Sequence, residues 1–198
     1  MTDESYQIKT FVWRKIEQMG GVGTQQQSKA MLAKLRRGIG KEPGSMPELW
    51  GLMMDGMPSE LMGKGDEASF AERAVYAALT LFALHQQGKE WCVSESNMML
   101  GVAVRKLANQ DKDRESAIMR RFNTTATANS ISEFSHHLRG LIQIMKAKNI
   151  KLDYPELASD LYRFQFPTQR DSVRLRWGRD YYRMSNNDEY KGNARKDE

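Results

Sequence analysis

The stretch from Thr168 to Arg183 constrains the chain more tightly than any other. At about 100° per residue, Val173, Trp177, Tyr181 and Met184 fall in one narrow apolar stripe, the pattern of a helix packed against a core. Arg176, Arg179 and Arg183 line up on one flank of that stripe. Leu175, Gly178 and Tyr182 share the other flank, where the glycine would admit a second backbone. Pro167 stops what precedes, and Thr168 with Asp171 three residues on predicts an N-terminal cap. The bland account of the arginines is a solvated face, with Arg176 and Asp180 as an ordinary i, i+4 pair. Whether they do more depends on other basic faces joining them.

Helical periodicity recurs along the whole chain. Tyr6 to Met19 carries Ile8, Phe11, Val12, Trp13, Ile16 and Met19, and Gly20-Gly21 ends that helix. Gly20-Gly21-Val22-Gly23 lacks the preceding strand and the spacing of a nucleotide loop. Gln25 to Arg37 turns Met31, Leu32 and Leu35 inward and Lys34 and Arg37 outward, and Gly38 closes it. Arg36 lies beside Leu32, where its stem can run along the core. Prolines and glycines break residues 39–65 into short turns, with a short helix over Pro47–Met54. The methionines there suit adaptable core filling.

Ser69-Phe70-Ala71-Glu72 predicts a capping box that opens a long helix ending at Gly88. Asn97–Leu107 reads as the next helix, a polar connector fills 109–115, and a helix bearing Arg120 and Arg121 starts near Ile118. Ser130-Ile131-Ser132-Glu133 is a second capping box, followed by Phe134, Leu138, Leu141, Ile142 and Met145 inside with Arg139 and Lys146 outside. His136 and His137 are neighbours and point apart, so no metal site is expected from them. Asp153 caps a further helix, and Ser185–Glu198 reads as a polar, disordered tail. No stretch alternates as a strand does. The expected fold is all-α, about eight helices in two small bundles, residues 1–90 and 91–184, packed together.

Charge is segregated along this framework. Residues 42–95 hold nine acids against Lys64, Arg73 and Lys89, whereas 29–41 holds five bases and 139–151 four, each without an acid. Although 30 basic residues exceed 25 acidic ones only modestly, this polarity favours a phosphate-rich partner. Cys92 stands alone, which excludes a disulfide framework and a thiolate zinc cluster. The N-terminus has no secretion signal and no apolar run approaches membrane-spanning length, so a cytoplasmic protein is expected. No Walker loop, HExxH motif or GxSxG elbow occurs, and no nucleophile with a positioned base suggests itself. The residues read as a binding protein without cofactor or metal.

Met31-Leu32-Ala33-Lys34-Leu35-Arg36-Arg37-Gly38 resembles the Leu-Ala-x-Leu-Arg-Arg-Gly segment of the CasB family, the small subunit of the type I-E CRISPR Cascade complex. The Gly88-Lys89 break, the Leu100-Gly101 to Ala108 helix, Arg120-Arg121 and Leu138-Arg139 follow in fitting order. The Phe166–Tyr182 region is similar to the family's closing helix. The acidic 42–67 segment and the tail match poorly. The resemblance implies an all-helical, non-catalytic subunit, present as two copies in a crRNA-guided complex with other Cascade subunits. Such a subunit would help hold the displaced non-target strand opposite the target strand and stabilise the R-loop. Carried over residue by residue, Arg37, Arg120 and Arg121 lead as nucleic-acid contacts, then Arg36, Arg139, Arg174 and Arg176. Outward-facing Lys34 and Arg179 complete the candidate set. A helix-turn-helix regulator and a protein-only scaffold stay open as alternatives; the first would need its bases on one recognition helix.

Overall fold

Ser69, Ser130 and Asp153 each cap a helix in the computed structural model, which describes residues 3–20 and 26–193, with side-chain surroundings for 27–183 and 3–19. The helices are α1 (Asp3–Gly20), α2 (Gln26–Arg37), α3 (Trp50–Met54), α4 (Phe70–Gln86), α5 (Leu100–Gln110), α6 (Glu115–Thr127), α7 (Ile131–Ala147), α8 (Tyr154–Phe164) and α9 (Pro167–Asn193). Among the described residues the fold is therefore all-α with nine helices, one more than expected, and an isolated bridge between Ser94 and Leu152 is its only extended pairing.

α4 is the spine. Ser69 Oγ accepts the Glu72 N–H at 3.0 Å and Glu72 accepts the Ser69 N–H at 2.6 Å, the complete capping box. From Ala74 to Gln86 every residue is buried. A helix that is apolar all round needs neighbours on every side, and α1, α2, α7 and α8 all pack on it. His85 lies inside this assembly with Nδ1 3.0 Å from the Tyr154 hydroxyl, and burial pushes its pKa down to about 4. The buried side chains of both halves of the chain form one continuous cluster, and α1 and α4 reach across residues 89–113 to pack on α8.

α9 buries Val173, Trp177 and Tyr181, as its stripe requires. Trp177 sits between Phe134 and Phe164, ring centroids 5.2 and 5.9 Å away, and its indole N–H donates to Asp160 Oδ2 at 2.6 Å. The glycine that lets another backbone approach is not Gly178, where a Cβ would meet nothing within 4 Å. It is Gly101 on α5, where a Cβ would collide with the Trp177 carbonyl oxygen and lie 2.8 Å from the Tyr181 nitrogen.

Other starts differ from expectation for local reasons. α9 begins at Pro167, so Thr168 lies inside its first turn, and the Phe166 carbonyl accepts the Gln169 and Arg170 N–H groups. α5 begins at Leu100 because Asn97 adopts φ 65° and donates its N–H to Asp153 Oδ2. Ser130 caps α7, but Glu133 takes the Asn129 N–H and not that of Ser130, leaving half a capping box. Of the apolar residues that α1 carries, Ile8, Phe11, Val12, Ile16 and Met19 are buried, whereas Trp13 is 54% exposed. The backbone of α9 runs on to Asn193, past Met184 where the sequence reading ends it. The rest of the expected tail, 194–198, lies outside the described residues, as does the Gly21–Gly23 segment.

Candidate nucleic-acid interface

The end of α2 is fixed by a close approach. Leu32 and Leu35 are buried against α4, and the Tyr76 hydroxyl donates to the Gly38 carbonyl at 2.8 Å. A Cβ at residue 38 would sit 2.6 Å from that hydroxyl and 2.9 Å from Leu49, so only glycine lets α2 finish here. This seat presents Lys34 and Arg37 to solvent and leaves Arg36 half-buried. Arg37 has Glu48 3.6 Å away, an exposed pair of little strength.

α7 carries the central part of the basic surface. Phe134, Leu138, Leu141, Ile142 and Met145 are buried, which turns Ser132, His136, Arg139, Gln143 and Lys146 to the opposite side. Lys146 is the meeting point of three elements. Burial lowers its pKa, and the charges of Arg36 on α2 and Lys89 beyond α4 lower it further. Lys146 donates to Gln87 Oε1 at 3.2 Å and Lys89 to Asn149 Oδ1 at 2.5 Å, so amides satisfy them and their charges stay uncompensated. Lys148 and Lys151 in the same basic run pair instead with Asp111 and Glu95, at 3.1 and 3.4 Å.

About 15 Å along α7 from Lys146, a groove of about 550 Å³ opens against α6, lined by Arg120, Arg121, Thr124, His136, His137 and Gly140. Arg120, Arg121 and Arg139 are exposed and have no ion pair among the described residues. Gly140 gives Arg121 room, since a Cβ there would lie 3.3 Å from the guanidinium. His137 Nε2 lies 3.8 Å from Glu133, and no carboxylate lines this groove among the described residues.

The α9 arginines divide. Arg174 donates from Nε to the Ala126 carbonyl at 2.6 Å and from Nη2 to the Ala128 carbonyl at 2.8 Å, closing the C-terminal end of α6. Arg176 turns toward α8, pairing with Glu156 at 2.6 Å and with Asp160, and so does not form the i, i+4 pair with Asp180. Lys9 joins Glu156 at 2.5 Å, and Arg163 joins Asp160 at 3.3 Å. Burial alone would raise the Glu156 pKa, but Lys9 and Arg176 more than offset it and hold it low. Arg179 stays exposed, beside Leu175 and Tyr182, without an ion pair among the described residues.

The structure thus brings Arg36, Arg139, Arg120 and Arg121 onto surfaces joined by α7, with Lys34 and Arg37 at the α2 end. It engages Arg174 and Arg176 in internal contacts. Lys89 and Lys146 belong to the surface as well. Lys146 was legible in the acid-free 139–151 run; Lys89 was hidden in the acid-rich half. Among the described residues no three His, Cys, Asp or Glu side chains gather as a metal site requires, and no helix is long and apolar enough to cross a membrane.

Residues 31–182 match the family described as CRISPR-associated protein Cse2. No curated protein matches the sequence. The fold is similar to CasB from Thermobifida fusca, with a TM-score of 0.76 and 29% identity over 88% of this chain and 97% of that one. CasB from M. ruber gives 0.68 and 21%, over 92% and 97% of the two chains. A chain of a CRISPR RNA-guided surveillance complex gives 0.73 and 19%, over 96% and 99%. The last two likenesses bear on the fold alone. The family match takes in the Leu35–Gly38 turn, the α6–α7 groove and α9 as far as Tyr182, and on that extent the chain belongs to the Cse2 (CasB) family of CRISPR-associated proteins.

Proposed function

We propose that this chain is the non-catalytic small subunit of a crRNA-guided surveillance complex of the type I-E Cascade kind. In that setting it would act beside the other subunits, the crRNA ribonucleoprotein and a second copy of itself. Its α7-centred face holds the displaced non-target strand, without reading its sequence, and stabilises the R-loop. The observation that carries this reading is the run of uncompensated cations along Arg36, Lys89, Lys146, Arg139, Arg120 and Arg121, drawn from several elements. A regulator would gather its bases on one recognition helix; here they are spread along a surface. Contacts to phosphate suit a site that leaves sequence discrimination to guide pairing. Membership of a CRISPR-associated family and the likeness to CasB from Thermobifida fusca support the same setting. Arg174 and Arg176 are assigned to holding the fold and Arg179 to the outer side of α9.

Arg121→Ala with Arg139→Ala tests the reading. Each lost phosphate contact should flatten the log–log salt dependence of single-strand binding by roughly 0.7. The loss should be equal on unrelated sequences, with the melting temperature unchanged. The assembled complex should load guide RNA normally and form shorter-lived R-loops. A wild-type salt slope and R-loop lifetime in the double variant would move the strand off this face.

A further inference from the structure

The most acidic part of the chain surrounds an apolar groove that the basic face does not use. Between α3, the loop that follows it and the start of α4 lies a groove of about 350 Å³ with Leu49, Met53, Met57 and Met62 lining it. Trp50 and Met54, one turn apart on α3, stand at its lip 50% and 40% exposed. Asp66 and Glu67 complete the wall. The segment that supplies most of this lining, residues 42–67, holds Glu42, Glu48, Asp55, Glu60, Asp66 and Glu67 against Lys64 alone. Glu48, Asp55 and Glu67 have partners in Arg37, Lys15 and Arg73. Glu42, Glu60 and Asp66 have no ion pair among the described residues.

Unbranched thioether side chains reshape themselves around an incoming apolar group, which suits a groove that is filled from outside. The volume accommodates one or two bulky side chains. The acidic wall at Asp66 decides what carries such a side chain: phosphate is repelled, and lysine or arginine flanking the anchor is attracted. We infer that this groove is a docking site for a basic amphipathic helix of a protein partner, one that seats a bulky apolar side chain on the methionines and sets its cations against the Asp66 side. The site is separate from the α7 face, so its existence does not depend on the nucleic-acid reading.

The test uses the full chain and a labelled synthetic amphipathic peptide of leucine and lysine, followed by fluorescence anisotropy. A peptide of the same pattern with glutamate for lysine is the control. Saturable binding of the lysine peptide alone is expected. Trp50→Ala with Met54→Ala should weaken it about tenfold or more, and Asp66→Lys with Glu67→Lys should do the same. All variants should keep a cooperative melting transition, and Trp50→Ala with Met54→Ala should bind a single-stranded oligonucleotide as before. Equal binding of both peptides, equal binding by the variants, or no saturable binding overturns the proposal. Sedimentation supplies another refutation: self-association abolished by Trp50→Ala with Met54→Ala would make the occupant a second copy of this chain.

Discussion

Gly101 and Gly178 submit the α5–α9 crossing to one substitution with opposite expected signs. In an open helix, Gly→Ala stabilises by up to about 1 kcal/mol, because alanine loses less backbone freedom. Gly178 sits inside α9 with nothing within 4 Å of a Cβ, so Gly178→Ala should raise stability by about 0.5–1 kcal/mol. At Gly101 the new methyl meets the Trp177 carbonyl oxygen, the Tyr181 nitrogen at 2.8 Å and the Asp180 Cβ at 2.9 Å. Two of these are backbone atoms of a helix held by Trp177 and Tyr181 in the core, so neither can step aside. Overpacking costs about 1–3 kcal/mol, and the upper end applies here. After subtracting the propensity gain, Gly101→Ala should lose about 2 kcal/mol. For a chain of this size that lowers the melting temperature by about 4–8 °C. It moves the urea midpoint down by roughly 0.7 M at a slope near 3 kcal/mol/M. Urea unfolding followed at 222 nm, with the slope fitted for each variant, measures both. If Gly101→Ala matched or exceeded wild type, the helices would not cross there as described, and the placement of α9 would be wrong.

Other perturbations read the remaining contacts. Arg176→Leu strands the Glu156 and Asp160 carboxylates; because Lys9 and Arg163 remain, the loss in urea unfolding should be about 2–4 kcal/mol, at or below that of a fully broken buried pair. Arg174→Ala removes the donor to the Ala126 and Ala128 carbonyls and should cost about 1.5–3 kcal/mol, with oligonucleotide salt slopes unchanged in both variants; an altered slope would return these arginines to the binding surface. His85 gives a pH dependence. The unfolded residue takes a proton near 6.5 but the folded one resists until about 4, so the unfolded chain binds more protons in that window. Stability is then present above about pH 6.5 and falls toward pH 4, by at most about 3 kcal/mol. His85→Gln should flatten the melting temperature across that range, and an unchanged pH profile would refute the account.

What was legible in the sequence is what depends on near neighbours. The Val173–Trp177–Tyr181 stripe, the Ser69–Glu72 box and the Asp153 cap involve residues within two turns, so periodicity and spacing reveal them. The roles of Arg174 and Arg176 were not, because their partners lie 46–48 and 20 residues away in sequence. Only a fold can decide whether a ridge arginine faces water or a buried carboxylate. The close approach was assigned to Gly178 because α9 supplied a pattern, yet the constraint belongs to α5, where no periodicity marks Gly101. Likewise the basic surface was found in pieces, as separate runs. That Arg36, Lys89 and Lys146 meet follows from α2 and α7 both leaning on α4.

The all-round burial of α4 also decides how load is carried. If α7 grips a polyanion as proposed, any pull passes into the helix beneath it, and from Ala74 to Gln86 α4 offers no solvent-facing side along which it could slip. Backbone amides from Ala74 to Gln86 are therefore released by opening of the whole domain and not by local breathing. On the proposed reading, a strand sliding across the outer surface would meet cations on long side chains above a stiff floor, so compliance would reside in the rotamers and stiffness in the scaffold.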